Sequence, residues 1–239
     1  VHLPERNKDS IQHLIDQAKE NGGVMSEHDT KTILEQYGIP TTMPKLATSL
    51  DEAKWFANEI GYPVAMKVQS KDITHKTDAG VVALDIESDD ALKKTYEELL
   101  ERARTYNEGA AIDGVVIQKM VGDGHELLLG SKQDPLFGSV VVFGAGGTSV
   151  EILKDTHIGF PPLSRADARK LINNTDISNR LEKGFRNLSP VNIGLVEDTI
   201  MRFSQLLIDF PEIAEIDINP LRAIPDEVIA LDGRMIIKQ

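Results

Sequence analysis

Near the C-terminus the sequence reads EIDINP, which sets Glu215, Asp217 and Asn219 at i, i+2 and i+4. Alternate residues of a strand share a face, so these three polar side chains line up while Ile216 and Ile218 turn the other way, toward a core. Folding the chain back at Pro225–Glu227 pairs Ala223–Ile224 with Val228–Ile229 and brings Asn219 near Asp232 of VIALDG. Asp217, Asn219 and Asp232 then stand close together. So few hard oxygen ligands suit Mg2+, which keeps waters and takes its remaining ligands from substrate phosphates. The same pattern also describes a solvated strand face balanced by lysines.

A second candidate is His75, in the polar, glycine-ended stretch DITHKTDAG between the apolar runs YPVAMKV and VVALDI. A neutral imidazole is a usable nucleophile near pH 7, its reference pKa being about 6.5. Lys67 lies inside the first of those runs. Its ammonium could meet a phosphate, or it could be an edge lysine reaching water. In VVIQKMVGDGHELLLG, Gln118 and the backbone from Lys119 to Val121 could read a purine edge, and Glu126 could accept hydrogen bonds from ribose hydroxyls. A plain hairpin would look the same. The glycines of FGAGGTSVE permit close backbone approach to a ligand, but match neither G-x-x-x-x-G-K-[ST] nor G-x-G-x-x-G. No histidines have H-E-x-x-H spacing, and no G-x-S-x-G elbow occurs. His2 and His13 read as surface residues, His28 as part of a first helical turn, His125 as the start of a strand and His157 as a loop residue.

These residues must be positioned by a chain of 239 residues, 41% hydrophobic, enough for one large domain or two small lobes. The net charge of -12 disfavours nucleic acid and anionic membranes as partners. With no cysteine, disulfides, thiolate catalysis and cysteine-bound metals are excluded, which fits a reducing cytoplasm. No apolar run approaches the roughly 18 residues of a membrane span, and no signal peptide is evident. The first residue is Val1, as in a chain trimmed or cut from a longer polypeptide.

Helical periodicity and caps predict helices over 10–21, from Asp29 to Gly38 after a Ser26/Asp29 capping box, over 49–61, over 88–107, at about 164–173 and over 191–209. Strands are predicted over 42–47, 63–69, 81–87, 114–121, 125–133, 139–145, 213–224 and 228–233. Strands and helices do not alternate steadily, and several hairpins occur. This is α+β organisation (mixed α/β) and not one doubly wound sheet. The expected division is an N-terminal helical segment over 1–25 packing on the larger lobe, a small lobe over 26–112 and a large lobe over 113–239. Ligand sites favour clefts between such lobes.

Taken together, YPVAMKVQSKDITHKTDAGVV, VVIQKMVGDGHELLLGSKQDPLFGSVVVFGAGG and EIDINPL followed by ALDG resemble an ATP-grasp domain. The chain is similar to the β subunit, or equivalent domain, of the ADP-forming acyl-CoA synthetases, relatives of succinyl-CoA synthetase. The resemblance runs from about Ser26 to Asp232. It implies two ATP-grasp lobes with ATP or ADP in the cleft between them. It also implies interconversion of acyl-CoA, ADP and phosphate with acid, CoA and ATP, through an acyl phosphate and phosphohistidines. His75 would carry the phosphoryl group, with Asp217 orienting or deprotonating it. Asn219 and Asp232 would hold Mg2+. Lys67, Thr74, Lys76, Gln118, Lys119, Val121 and Glu126 would bind the nucleotide. The CoA-binding α part would be a separate subunit or fused domains, giving a hetero-oligomer. Two departures stand out: Val81 replaces a second glycine after the His75 loop, and THIGF replaces a segment where a basic residue often follows KD. A regulatory ATP-grasp module and an ATP-dependent carboxylate–amine ligase are the alternatives. The first predicts loss of His75, Asp217, Asn219 and Asp232, all present here; the second has no need of the His75 loop.

Overall fold

The computed structural model describes residues 6–70, 72, 73, 76, 79–147 and 155–239. They form two compact units, one built from residues 1–41 and 122–239, the other from 42–121.

The larger unit is a six-stranded antiparallel sheet with helices on one face. Its strands are β5 (His125–Asp134), β6 (Gly138–Ala145), β7 (Thr156–Gly159), β8 (Ile213–Ile224), β9 (Glu227–Ala230) and β10 (Arg234–Ile237). Their order is β10-β8-β5-β6-β7, with β9 also paired to β8. The helices are α1 (Lys8–Glu20), α2 (Glu27–Gln36), α5 (Arg165–Asn173), α6 (Ser178–Lys183) and α7 (Ile193–Asp209). Ile11 and Ile15 of α1, Ile33 and Leu34 of α2, and Phe203 of α7 share a core with Leu127, Leu129, Phe143, Ile216 and Ile218 from the sheet. Strand alternation decides the rest: the residues between those apolar positions face away from the helices.

The smaller unit is a four-stranded antiparallel sheet in the order β1-β4-β2-β3. It comprises β1 (Lys45–Ala47), β2 (Val64–Gln69), β3 (Val82–Ile86) and β4 (Gly114–Lys119), with α3 (Leu50–Ile60) and α4 (Asp89–Tyr106). Val64, Met66, Val68, Val115 and Ile117 face those helices in a separate core. Ser49 and Ser88 cap α3 and α4 by accepting from the backbone amides of Glu52 and Ala91.

These units do not follow the boundaries at 26 and 113 expected from the sequence. α2 buries its apolar face in the larger core, and β4 is zipped between β1 and β2 of the smaller sheet. Three short elements are also absent from the sequence expectation: β7, where a loop was expected around His157, and α6 and β10. β1 is shorter than expected, starting at Lys45.

Candidate functional site

The polar positions of EIDINP lie on the helix-free face of the larger sheet. Ile216 and Ile218 are fully buried, and Glu215, Asp217 and Asn219 alternate with them. Register places Ala223 opposite Val228, Leu221 opposite Ala230 and Asp217 opposite Arg234. Both hairpin partners of β8 thus keep one register, and Asp232, in the gap between β9 and β10, falls opposite Asn219. The backbone amide of Leu231 donates to the Pro220 carbonyl beside it, at 3.1 Å. Asp232 is exposed and turns one carboxylate oxygen onto the Gly233 amide, at 2.8 Å.

Burial raises the Asp217 carboxyl above its ordinary range, and the negative charges of Glu215 and Asp232 push it further, against a smaller opposing effect of Arg234. Gly130 lies opposite Asp217 on β5; a Cβ there would stand 3.5 Å from Asp217 Oδ1 and 3.2 Å from the Ile216 carbonyl. The tighter of these contacts is with the backbone carbonyl, so glycine suits the close approach of β5 and β8.

The glycine loop after β6 closes over the same face. The Gly147 amide donates to Asn219 Oδ1 at 2.8 Å, fixing which end of the carboxamide faces the site. The Gly146 amide donates to the Glu126 carbonyl at 2.9 Å. Gly147 has φ +64, and a Cβ there would lie 1.7 Å from Glu126 Oε2. Glu126, opposite Arg222 on β8, receives a hydrogen bond from that guanidinium at 2.7 Å. Neither Arg222 nor the spacing role of Gly130 was legible as a functional feature beforehand. The cross-strand register that reveals both has no signature in local sequence.

Among the described residues, no three His, Asp or Glu side chains gather as a metal cage. The donor set is instead an oriented Asn219 carboxamide oxygen and the Asp232 carboxylate beside a charge-crowded Asp217. That set fits a cation that keeps waters and takes further ligands from phosphates.

In the smaller unit, Lys67 lies on β2, a central strand, opposite Val82 and Val116. It is therefore not the edge lysine that its sequence context allowed. It is half-buried on the face away from the helices. Gln69 shares that face and accepts from Lys76 Nζ at 3.0 Å. Gln118 shares it too, and its amide donates to the Thr42 carbonyl at 2.8 Å. Lys119, opposite Val64, directs its side chain to the other face, which leaves its backbone as the group that could read a base. Val121 is half-buried at the end of this unit. Thr74 and His75 lie outside the described residues. Nearby along the chain, Ile73, Ala79 and Val81 are buried in the smaller core. Val81, standing where a second glycine was anticipated, is fully buried, and its amide donates to the Lys76 carbonyl at 3.1 Å. His157 sits on β7 opposite Phe143.

The chain is similar to known proteins along nearly its whole length. The ATP-grasp domain family matches residues 16–237. The chain is 41% identical to the β subunit of acetate–CoA ligase (ADP-forming) I of Pyrococcus furiosus, over 94% of this chain and 96% of that one. It is 38% identical to 4-hydroxybutyrate–CoA ligase (ADP-forming) of Nitrosopumilus maritimus, over 90% of this chain but only 31% of that longer polypeptide. Among solved structures it is similar to the dinucleotide-forming acetyl-coenzyme A synthetase 1 of Ca. Korarchaeum cryptofilum in complex with coenzyme A and Mg-AMPPCP. The phosphohistidine segment there points towards the nucleotide binding site. The match has a TM-score of 0.68 and 34% identity, covering 95% of this chain and all of that one. The chain therefore belongs to the ATP-grasp family, among the β subunits and equivalent domains of the ADP-forming acyl-CoA synthetases.

Among the described residues, no helix is long and apolar enough to cross a membrane.

Proposed function

We propose that this chain is the nucleotide-binding, phosphohistidine-relaying part of a cytoplasmic ADP-forming acyl-CoA synthetase, working with an α subunit or fused CoA-binding domains. Together they would convert acyl-CoA, ADP and phosphate into the acid, CoA and ATP. The observation that carries this reading is the convergence of Glu126, Gly147, Asp217 and Asn219 on one sheet face, with Asp232 opposite Asn219.

In this reading His75 receives the phosphoryl group from a phosphohistidine of the partner. A β-phosphate oxygen of ADP then attacks phosphorus, the P–N bond breaks, and its electron pair returns to the ring. With a proton on the second ring nitrogen, held by Asp217, the ring leaves as neutral imidazole. The raised pKa of Asp217 suits a group that must hold or share a proton. Glu126 binds the ribose, and the adenine lies along Gln118, the Lys119 backbone and Val121. Lys67, Thr74 and Lys76 face the phosphates. Asn219 and Asp232 hold Mg2+, which when bound neutralises charge on the phosphate oxygens. The protein contributes positioning and charge compensation, as phosphoryl transfer requires. The acid is chosen by the partner, in keeping with relatives named for different acids.

The test is labelling by radioactive ATP and Mg2+, comparing wild type with His75→Ala, alone and with the α part. Acid-labile, base-stable label on the wild type and none on the variant is expected. Absence of label from a wild-type chain that binds Mg-ATP would overturn the relay and leave a nucleotide-binding module or a ligase that phosphorylates only its acid.

A further inference from the structure

We infer that Arg222 is a positioning residue for the nucleotide ribose, acting through its cross-strand contact with Glu126. The inference rests on the ribose role proposed for Glu126.

Glu126 and Arg222 are directly opposed on β5 and β8. Arg222 Nη2 donates to Glu126 Oε1 at 2.7 Å, and Nη1 reaches the Gly122 carbonyl, in the turn before β5, at 3.4 Å. The Arg222 side chain is 19% exposed and that of Glu126 37%. Glu126 Oε2 occupies the space a Cβ on Gly147 would fill. One carboxylate oxygen is thus held by the guanidinium, and the other rests where Gly147 has no side chain to displace it. The Gly146 amide, bonded to the Glu126 carbonyl, keeps that glycine pair beside the glutamate.

One consequence follows for a nucleotide. A glutamate already held by a guanidinium loses less entropy when it accepts ribose hydroxyls. Among the described residues, Arg222 Nε meets no hydrogen-bond acceptor, so the guanidinium is held through its Nη atoms alone.

The experiment compares calorimetric affinities of the whole chain for Mg-ADP and Mg-2′,3′-dideoxy-ADP. Wild type should favour ADP by about tenfold or more, as for one hydrogen bond to a charged group. Glu126→Ala should bring the ratio close to one. Arg222→Met should do nearly the same while leaving dideoxy-ADP affinity unchanged, and Arg222→Lys should restore part of the ratio. If wild type shows no preference, or Glu126→Ala keeps it, the ribose reading itself fails. If Glu126→Ala loses the preference and Arg222→Met keeps it, the positioning role fails while the ribose reading stands. A parallel fall in both affinities at Arg222→Met, with the ratio intact, marks a merely structural pair and also overturns the inference. Should Arg222→Met not fold, Arg222→Gln is read by the same criteria.

Discussion

Replacing Gly147 by alanine tests the geometry of the site without removing any polar group. The residue has φ +64, a conformation that costs an L-residue with a Cβ about 1 kcal/mol. The new methyl would stand 1.7 Å from Glu126 Oε2 and 2.9 Å from its Cδ, so the glutamate must swing away. That breaks the 2.7 Å contact with Arg222. Because Glu126 is over a third exposed, solvent screening limits this loss to about 1 kcal/mol. The total is about 2 kcal/mol, or a fall in Tm of roughly 4–8 °C for a chain of this length. Urea and thermal unfolding of wild type, Gly147→Ala, Glu126→Ala and the double variant would measure it. In the Glu126→Ala background the two overlapping atoms are gone, the remaining Cβ at 126 is at an ordinary 3.5 Å, and only the backbone cost should remain. The coupling between the two positions should therefore be about 1 kcal/mol. Equal destabilisation by Gly147→Ala in both backgrounds would refute the steric reasoning.

Three other outcomes are expected. Asp209 is half-buried, which alone would raise its pKa, but hydrogen bonds from Tyr37, Lys8, Gln205 and Arg6 outweigh that and hold it at about 2 against an ordinary 3.8. A depressed carboxylate stabilises above its unfolded pKa and loses that contribution as pH falls through the folded value. Asp209→Asn should thus cost about 2 kcal/mol at pH 7, with the difference vanishing near pH 2; equal urea midpoints at pH 7 would contradict this. Asp217 has the opposite sign: its raised pKa makes the ionised group a burden on the fold, absent below the unfolded pKa and growing as pH rises through the folded one. Asp217→Asn should therefore melt no lower than wild type at pH 7 without Mg2+, an advantage that shrinks as the pH falls toward the ordinary carboxylate range. Asp232→Ala should weaken Mg-nucleotide binding by about tenfold or more, as expected for a lost charged ligand; unchanged calorimetric affinity would argue against a metal role.

Much of the site was legible because its signals are local. The alternation in EIDINP follows from the two-residue period of a strand, and the turn at Pro225–Glu227 fixes a register that brings Asp232 to Asn219. Ser26, Ser49 and Ser88 announce helix starts because an unpaired amide in a first turn needs an acceptor. What stayed hidden depends on residues far apart in sequence. The pairing of Glu126 with Arg222 spans nearly a hundred positions, and Gly130 matters only because β8 brings the Ile216 carbonyl against it. Lys67 looked compatible with a sheet edge because no local pattern states which strands flank β2. The boundaries at 26 and 113 gave way for a similar reason, since burial of α2 and insertion of β4 are decided by which core each face meets. Periodicity and side-chain chemistry set the strand faces, the helix caps and the kinds of groups available for phosphoryl transfer. Which carboxylate is crowded, which is neutralised and which glycine makes room emerged with the fold, because charge and excluded volume act through space and not along the chain.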